Sequence, residues 1–212
     1  MFHTIATNLI GSTIICTLII GALILYESKK HKREADRKMA EFWERENKSN
    51  FVRRQDISQL DYITIPFDEL PFVQTDDGEI NACQKELLAL KGVKLLNLSG
   101  ISNTDLKLQY GVANLPQLSE YDEACTRMFR IIANLGFHLS QKGYHNEAVA
   151  FLEFGIAAGS DISRNYYVLA DEYILSGRYD KVRELITHAE EITSPMGPSI
   201  LRELNAKLSA VC

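Results

Sequence analysis

Between Phe129 and Pro195 one arrangement of large, small and turn-forming residues occurs twice, 34 residues apart, and it restricts the chain more than any other feature. The first run reads Ile132, Leu135, Gly136, Leu139, Gly143, Ala148, Leu152, Gly155; the second reads Tyr166, Leu169, Ala170, Tyr173, Gly177, Val182, Ile186, Ala189. Large residues three and seven positions along share one face of a helix, and the small residue beside the middle one lets a second helix approach. The glycine that follows permits a tight reversal. Each run therefore predicts two antiparallel helices. A lone hairpin leaves an apolar face open, so the two must stack on each other and be closed at their ends.

The flanks extend the pattern. Ser119 is placed to cap a helix whose stripe runs Tyr121, Cys125, Met128, Ile132, Leu135, Leu139. Its partner is expected from about Asn146 to Ala158, and the second pair from about Ile162 to Leu175 and from Tyr179 to Ile192. Pro195 and Pro198 break the chain before Ile200, Leu201, Leu204 and Leu208, which mark a last amphipathic helix at 197–212 suited to cap the array. In period and order the two runs, about a third of the chain within 119–196, resemble the tetratricopeptide repeat. They depart from it where a proline usually closes each repeat, since Ser160 and Ser194 stand there, and where Ile132 and Leu139 replace customary aromatics.

The resemblance implies a binding surface rather than a reaction. In that family the first helices of successive repeats line a groove that holds a peptide. Carried over by position, the groove would present Arg130, Asn134, Phe137 and Gln141 from one repeat, and Arg164, Tyr167, Asp171 and Ile174 from the next. Two arginines, an amide and two aromatics suit an extended or helical protein segment bearing a carboxylate. The competing expectation is that Phe137, Tyr167 and Ile174 are covered by neighbouring elements.

Ile5 to Tyr26 carries no charge and at about 1.5 Å per residue is long enough to cross a bilayer. Residues 1–4 hold no Lys or Arg, and no Ala-x-Ala site follows the run, which favours an uncleaved transmembrane anchor over a signal peptide. Lys29, Lys30, Lys32, Arg33, Arg37 and Lys38 all follow it, placing the N-terminus outside and the rest in the cytoplasm. The expected location is the plasma membrane, single-pass, or the mitochondrial outer membrane in a eukaryote. Asn8, Ser12 and Cys16 share one face of this helix and Thr13, Thr17 and Gly21 the next, so pairing of spans through Asn8, Ser12, Thr13, Thr17 and Gly21 is a further expectation.

Residues 27–58 read as a charged helical arm and linker, with Lys30/Glu34, Glu34/Lys38, Glu41/Arg45 and Glu44/Lys48 at helical spacing. Ala35, Met39, Phe42 and Trp43 make a thin apolar stripe on it. A spacer that holds the domain off the membrane is favoured over an arm lying on lipid. Residues 59–118 are irregular and mixed, with a β-prone Tyr62–Ile65, a capped turn at Asp76-Asp77-Gly78 and a second cap at Ser102, and serve as a candidate N-terminal cap of the repeats. Fold class is thus all-α: an N-terminal transmembrane helix, a charged helical arm and a cytosolic helical hairpin repeat domain.

Charge excludes one class of partner. Residues 27–58 hold ten Lys/Arg against seven Asp/Glu, whereas 59–212 hold thirteen against twenty-one, so the folded part should repel nucleic acid. Cys16, Cys83, Cys125 and Cys212 have no paired spacing and read as reduced thiols. His188-Ala189-Glu190-Glu191 lacks the second histidine of a zinc helix, and no nucleophile elbow, phosphate loop or dinucleotide fingerprint is present. No catalysis, metal or cofactor is expected. The sequence points to a membrane-anchored scaffold that binds a protein or peptide, with lipid met by the span and basic flank. The alternative is a non-catalytic subunit or assembly factor of a membrane complex, recognised through its span.

Overall fold

The computed structural model describes the backbone of residues 2–211 and the side chains of residues 20, 21 and 23–211. Eight α-helices follow in order among the described residues: α1 (Phe2–Ser49), α2 (Gly78–Leu88), α3 (Asn103–Tyr110), α4 (Leu115–Gln141), α5 (His145–Ala157), α6 (Ser163–Leu175), α7 (Tyr179–Glu190) and α8 (Gly197–Ser209). The chain is all-helical over these residues, and its β-prone stretch contributes one antiparallel bridge, Ile63 to Leu95.

The membrane-spanning element is corrected. Among the described residues no helix is long and apolar enough to cross a membrane. From Glu27 to its end α1 is rich in charged residues. The transmembrane helix at 5–26, the single-pass topology with its outer N-terminus, and the plasma-membrane or mitochondrial outer-membrane location fall with this finding. The span-pairing residues Asn8, Ser12, Thr13 and Thr17 lie outside the residues whose side chains are described; Gly21 is half-buried.

α1 continues the arm as helix without a break; within it Arg37 approaches Glu41 at 3.5 Å, and among the described residues none of the four expected pairs is closed. Its last turn docks on α3. Lys107 pairs with Glu46, whose other carboxylate oxygen accepts from Thr104 Oγ1 at 2.7 Å, and Arg45 meets Asp105 at 2.6 Å. The chain after it then crosses the corner between α3 and α4. Asn114, fully buried, donates to the carbonyls of Gln55 (2.7 Å) and Tyr110 (2.8 Å) and accepts from Arg54 Nε (2.8 Å). At Gly111, with φ +85°, a Cβ would stand 2.5 Å from the Arg53 carbonyl, so the crossing requires a glycine. Each buried polar atom named at this corner has a partner, as burial demands.

The middle segment is built from caps and side-chain clamps. Asp77 accepts from the amides of Glu79 and Ile80 at the start of α2, and Ser102 accepts from Asp105 at the start of α3. Gln84, buried on α2, donates to the Val73 carbonyl (3.0 Å) and accepts from its amide (2.7 Å), taking the role a neighbouring strand would play. Ile80, Leu87, Leu90 and Leu95 join Met128, Ile132 and Leu139 of α4 in one apolar core, and α2 lies along α4. α4 begins at Leu115, four residues before Ser119, because Pro116 fits the first helical turn, where its missing N–H is no loss.

The hairpins α4/α5 and α6/α7 reverse through matching turns. Gly143 (φ +83°) and Gly177 (φ +71°) are followed by Tyr144 (φ −83°, ψ 61°) and Arg178 (φ −87°, ψ 59°). The Tyr144 amide donates to the Leu139 carbonyl at 2.9 Å, and the Arg178 amide to that of Tyr173, its counterpart 34 residues on, at 2.7 Å. α6 packs against α4, α5 and α7, and α8 closes the array on α6 and α7 through Ile200 and Leu204. Burying one such aliphatic side chain contributes about 1.5–3 kcal/mol.

Candidate functional site

The loop from Ala158 to Ile162 sets the distance between the hairpins. Ser160, one of the residues standing where a proline was expected, is fully buried; its hydroxyl accepts from Asn165 Nδ2 at 2.8 Å and its carbonyl from the Tyr166 hydroxyl at 3.0 Å. Ser194 holds the equivalent place after α7 and accepts weakly from the Met196 amide at 3.4 Å. These serines stop each second helix by bonding the next turn of chain, which does by hydrogen bonding what a proline does by steric restriction.

Where α6 emerges from this loop, it meets α4 around a hollow of about 530 Å³. Arg130, Ala133 and Asn134 of α4 form one wall, Ile162, Ser163 and Arg164 the other, with Asp161 and Met196 at the margin. Arg164 Nη1 donates to Asn134 Oδ1 at 2.7 Å, and its guanidinium lies 5.2 Å from the centre of the Phe137 ring. Stacking on the ring and bonding to the amide hold the cation in place while it stays exposed. Arg130 is exposed on the same wall. No side chain caps α6, and the Ser163 hydroxyl has no protein partner. Two guanidiniums and the positive end of a helix dipole make this hollow suited to a carboxylate or another anion on a protein segment.

The eight residues carried over from the repeat pattern divide. Arg130, Asn134 and Arg164 line the hollow, Phe137 supports Arg164, and Gln141 is exposed further along α4. The other three do not reach it. Tyr167 and Ile174 are partly buried against the second core, and Asp171 is paired with Lys207 of α8 at 2.5 Å. The last helix thus occupies ground that the positional transfer assigned to a ligand. Ala133, Asp161, Ile162, Ser163 and Met196 were not anticipated. Ala133 and Ser163 stand one residue away from Asn134 and Arg164, but Met196 arrives from the turn before α8, which no repeat arithmetic reaches.

Away from the hollow, His145 Nδ1 lies 2.9 Å from a carboxylate oxygen of the buried Glu172, and two buried groups keep their protons near neutral pH. Burial pushes the Cys125 thiol and the Tyr166 hydroxyl each up to about 12, so both keep their protons. Cys83 is pushed up as well, first by burial and then by Glu86 and Glu79. His188 Nδ1 lies 3.4 Å from the Tyr166 hydroxyl, long for a hydrogen bond. Among the described residues no group of three or more His, Cys, Asp or Glu is placed to hold a metal ion.

Comparison with protein-family models, curated proteins and solved structures finds no match to this chain.

Proposed function

We propose that the chain is an adaptor of tetratricopeptide-like construction whose α4/α6 face holds a segment of a partner protein by an acidic group. The observation that carries this reading is the hollow between Arg130 and Arg164, with Arg164 fixed by Asn134 and Phe137 yet open to solvent. A cation that is pre-oriented but unpaired by carboxylate loses little entropy when it takes a bidentate partner. The shared turn geometry of the two hairpins at a 34-residue interval supports the repeat construction.

The test is to purify the protein from its own cells beside an Arg130→Ala, Arg164→Ala variant and identify what travels with each. Both side chains are exposed, so the variant should melt close to the wild-type temperature, lowered only by the loss of the Arg164 contacts with Asn134 and Phe137. A partner held by the wild type and lost by the variant supports the reading, and an acidic peptide from that partner should then bind roughly 10- to 100-fold more weakly to the variant. A partner set retained in full by the variant overturns it.

A further inference from the structure

The second helices of the hairpins form a face of their own, different in charge from the first. α5 and α7 stand apart on either side of α6 and leave a groove of about 310 Å³ whose floor is Leu169 and Tyr173 of α6, with Ile156 and Leu185 on its sides. That volume is at the small end for a ligand site and suits one large side chain. On the rim Glu153 of α5 accepts from the Tyr173 hydroxyl at 2.6 Å, and on α7 Glu184 stands beside Lys181, paired with it at 2.6 Å, and near His188; α5 carries no Lys or Arg at all. Together α5 and α7 hold five carboxylates against two cations, Lys181 and Arg183, each already turned to a carboxylate on its own helix.

The complementary surface is on the same chain. Residues 29–38 of α1 hold six Lys/Arg against two Asp/Glu, and every residue from 23 to 45 is exposed. On one face of this helix Tyr26, Lys30, Arg33 and Arg37 follow at spacings of four, three and four, an aromatic ring succeeded by three cations. Along α1 they span about 17 Å, close to the length of α5 or α7 at 1.5 Å per residue. The arm's own copy anchors it by the last turn, on α3, and leaves this face without a neighbour.

We propose that the α5/α7 groove receives the α1 arm of a second copy, with the Tyr26 ring over Leu169 and Tyr173 and with Lys30 and Arg33 against Glu153 and Glu184. The contact is independent of the α4/α6 hollow, which carries the opposite charge and faces a different partner. It forms by desolvating one ring and pairing exposed charges, so it is steered by electrostatics and weakened by salt. If both arms of a pair engage, the contact is mutual and closes as a symmetric dimer.

Zero-length carbodiimide coupling of mixed, isotopically light and heavy full-length chains tests it. Cross-links that join the Lys29–Lys38 stretch of one isotope to Glu153 or Glu184 of the other are expected. Their yield should fall roughly tenfold between about 50 mM and about 500 mM NaCl. Lys30→Glu with Arg33→Glu lies on an exposed helix and cannot disturb the domain; it should abolish the hybrid links to Glu184. Glu184→Lys, which leaves the Tyr173 bond to Glu153 in place, should lower association in sedimentation, and mixing it with the arm variant should restore it. Hybrid links scattered over other carboxylates, or association indifferent to salt and to both charge reversals, would overturn the proposal.

Discussion

The two hairpins turn identically but are held together differently. In α4/α5 the contact is a matter of shape. A Cβ on Gly136 would meet the Leu152 side chain at 2.5 Å, and one on Gly155 would meet Ile132 Cγ2 at 2.9 Å, so each glycine exists to admit a large side chain from the facing helix. In α6/α7 the corresponding small residues are Ala170 and Ala189, and the large ones include Tyr166 and Tyr173, whose hydroxyls bond Ser160 and Glu153. The second hairpin gives up closeness and gains hydrogen bonds that tie it to the first. Equivalent positions in a repeat can thus satisfy the same backbone with different physics, one by dispersion and burial, the other by directed polar contacts.

The largest expected break of this difference is Gly136→Ala. Leu152 is fully buried and its branch point, not only its tip, stands in the way, so the substitution should cost about 1–3 kcal/mol despite the better helix propensity of alanine. Ala170, the counterpart, already carries that methyl. On a Leu152→Ala background, which itself costs about 2–5 kcal/mol, the added methyl should be tolerated or favourable. Urea unfolding of the three variants measures the coupling. Strict additivity would show that the helices are not in the close contact described.

How much of this was legible follows from the kind of interaction concerned. The hairpins and their turns could be read because burial and positive φ impose residue types at fixed intervals, and Leu139, Gly143 and Leu152 advertise them. α4 starts at Leu115 and not at the expected Ser119, because Pro116 fits the first turn whereas the serine, a residue type that also caps helices, lies inside the helix. The membrane span was read from an uncharged run, and among the described residues no helix bears it out. Of the eight candidate groove residues Arg130, Asn134 and Arg164 line the hollow, the two on α4 because their outward face is fixed by the stripe on the inner one. Tyr167, Asp171 and Ile174 stand away from that hollow because the position of α8 depends on how the last turn closes, and Lys207 lies 36 residues from Asp171 with no pattern joining them.

A sharper comparison of equal effects comes from the turns. At both Gly143 and Gly177 a Cβ would meet nothing within 4 Å, so an alanine there is penalised by backbone conformation alone. Gly143→Ala and Gly177→Ala should each lose about 1–2 kcal/mol, and the two losses should agree within about 0.5 kcal/mol, as expected of the same left-handed residue in the same turn. Chemical denaturation read by far-ultraviolet circular dichroism suffices. Unequal losses would mean that one turn relaxes where the other cannot, and that the likeness of the hairpins ends at their dihedral angles.

The smallest effect belongs to a tie that the first turn has and the second lacks. Lys142 reaches Asp77 at 2.8 Å and joins the α4/α5 turn to the cap of α2; Ser176, its counterpart, bonds the carbonyls of its own helix instead. The Lys142 ammonium and the amides of Ile80 and Glu79 hold the Asp77 carboxyl below its ordinary range, while Asp77 holds Lys142 above its own. A lowered carboxyl contributes stability that is present above its unfolded value and is lost as the pH falls through the folded one; a raised ammonium contributes stability that is lost only as the pH rises past the ordinary lysine range. Between those limits Lys142→Ser should lower the melting temperature slightly, and salt should erase most of the difference because the lysine end is exposed. Below the carboxylate range wild type and variant should converge, since protonated Asp77 no longer attracts a cation. Asp77→Asn should keep the cap, because an amide oxygen also accepts from the α2 amides, but should make position 142 indifferent to substitution. If Lys142→Ser still mattered on that background, the lysine would be acting through packing of its stem rather than its charge.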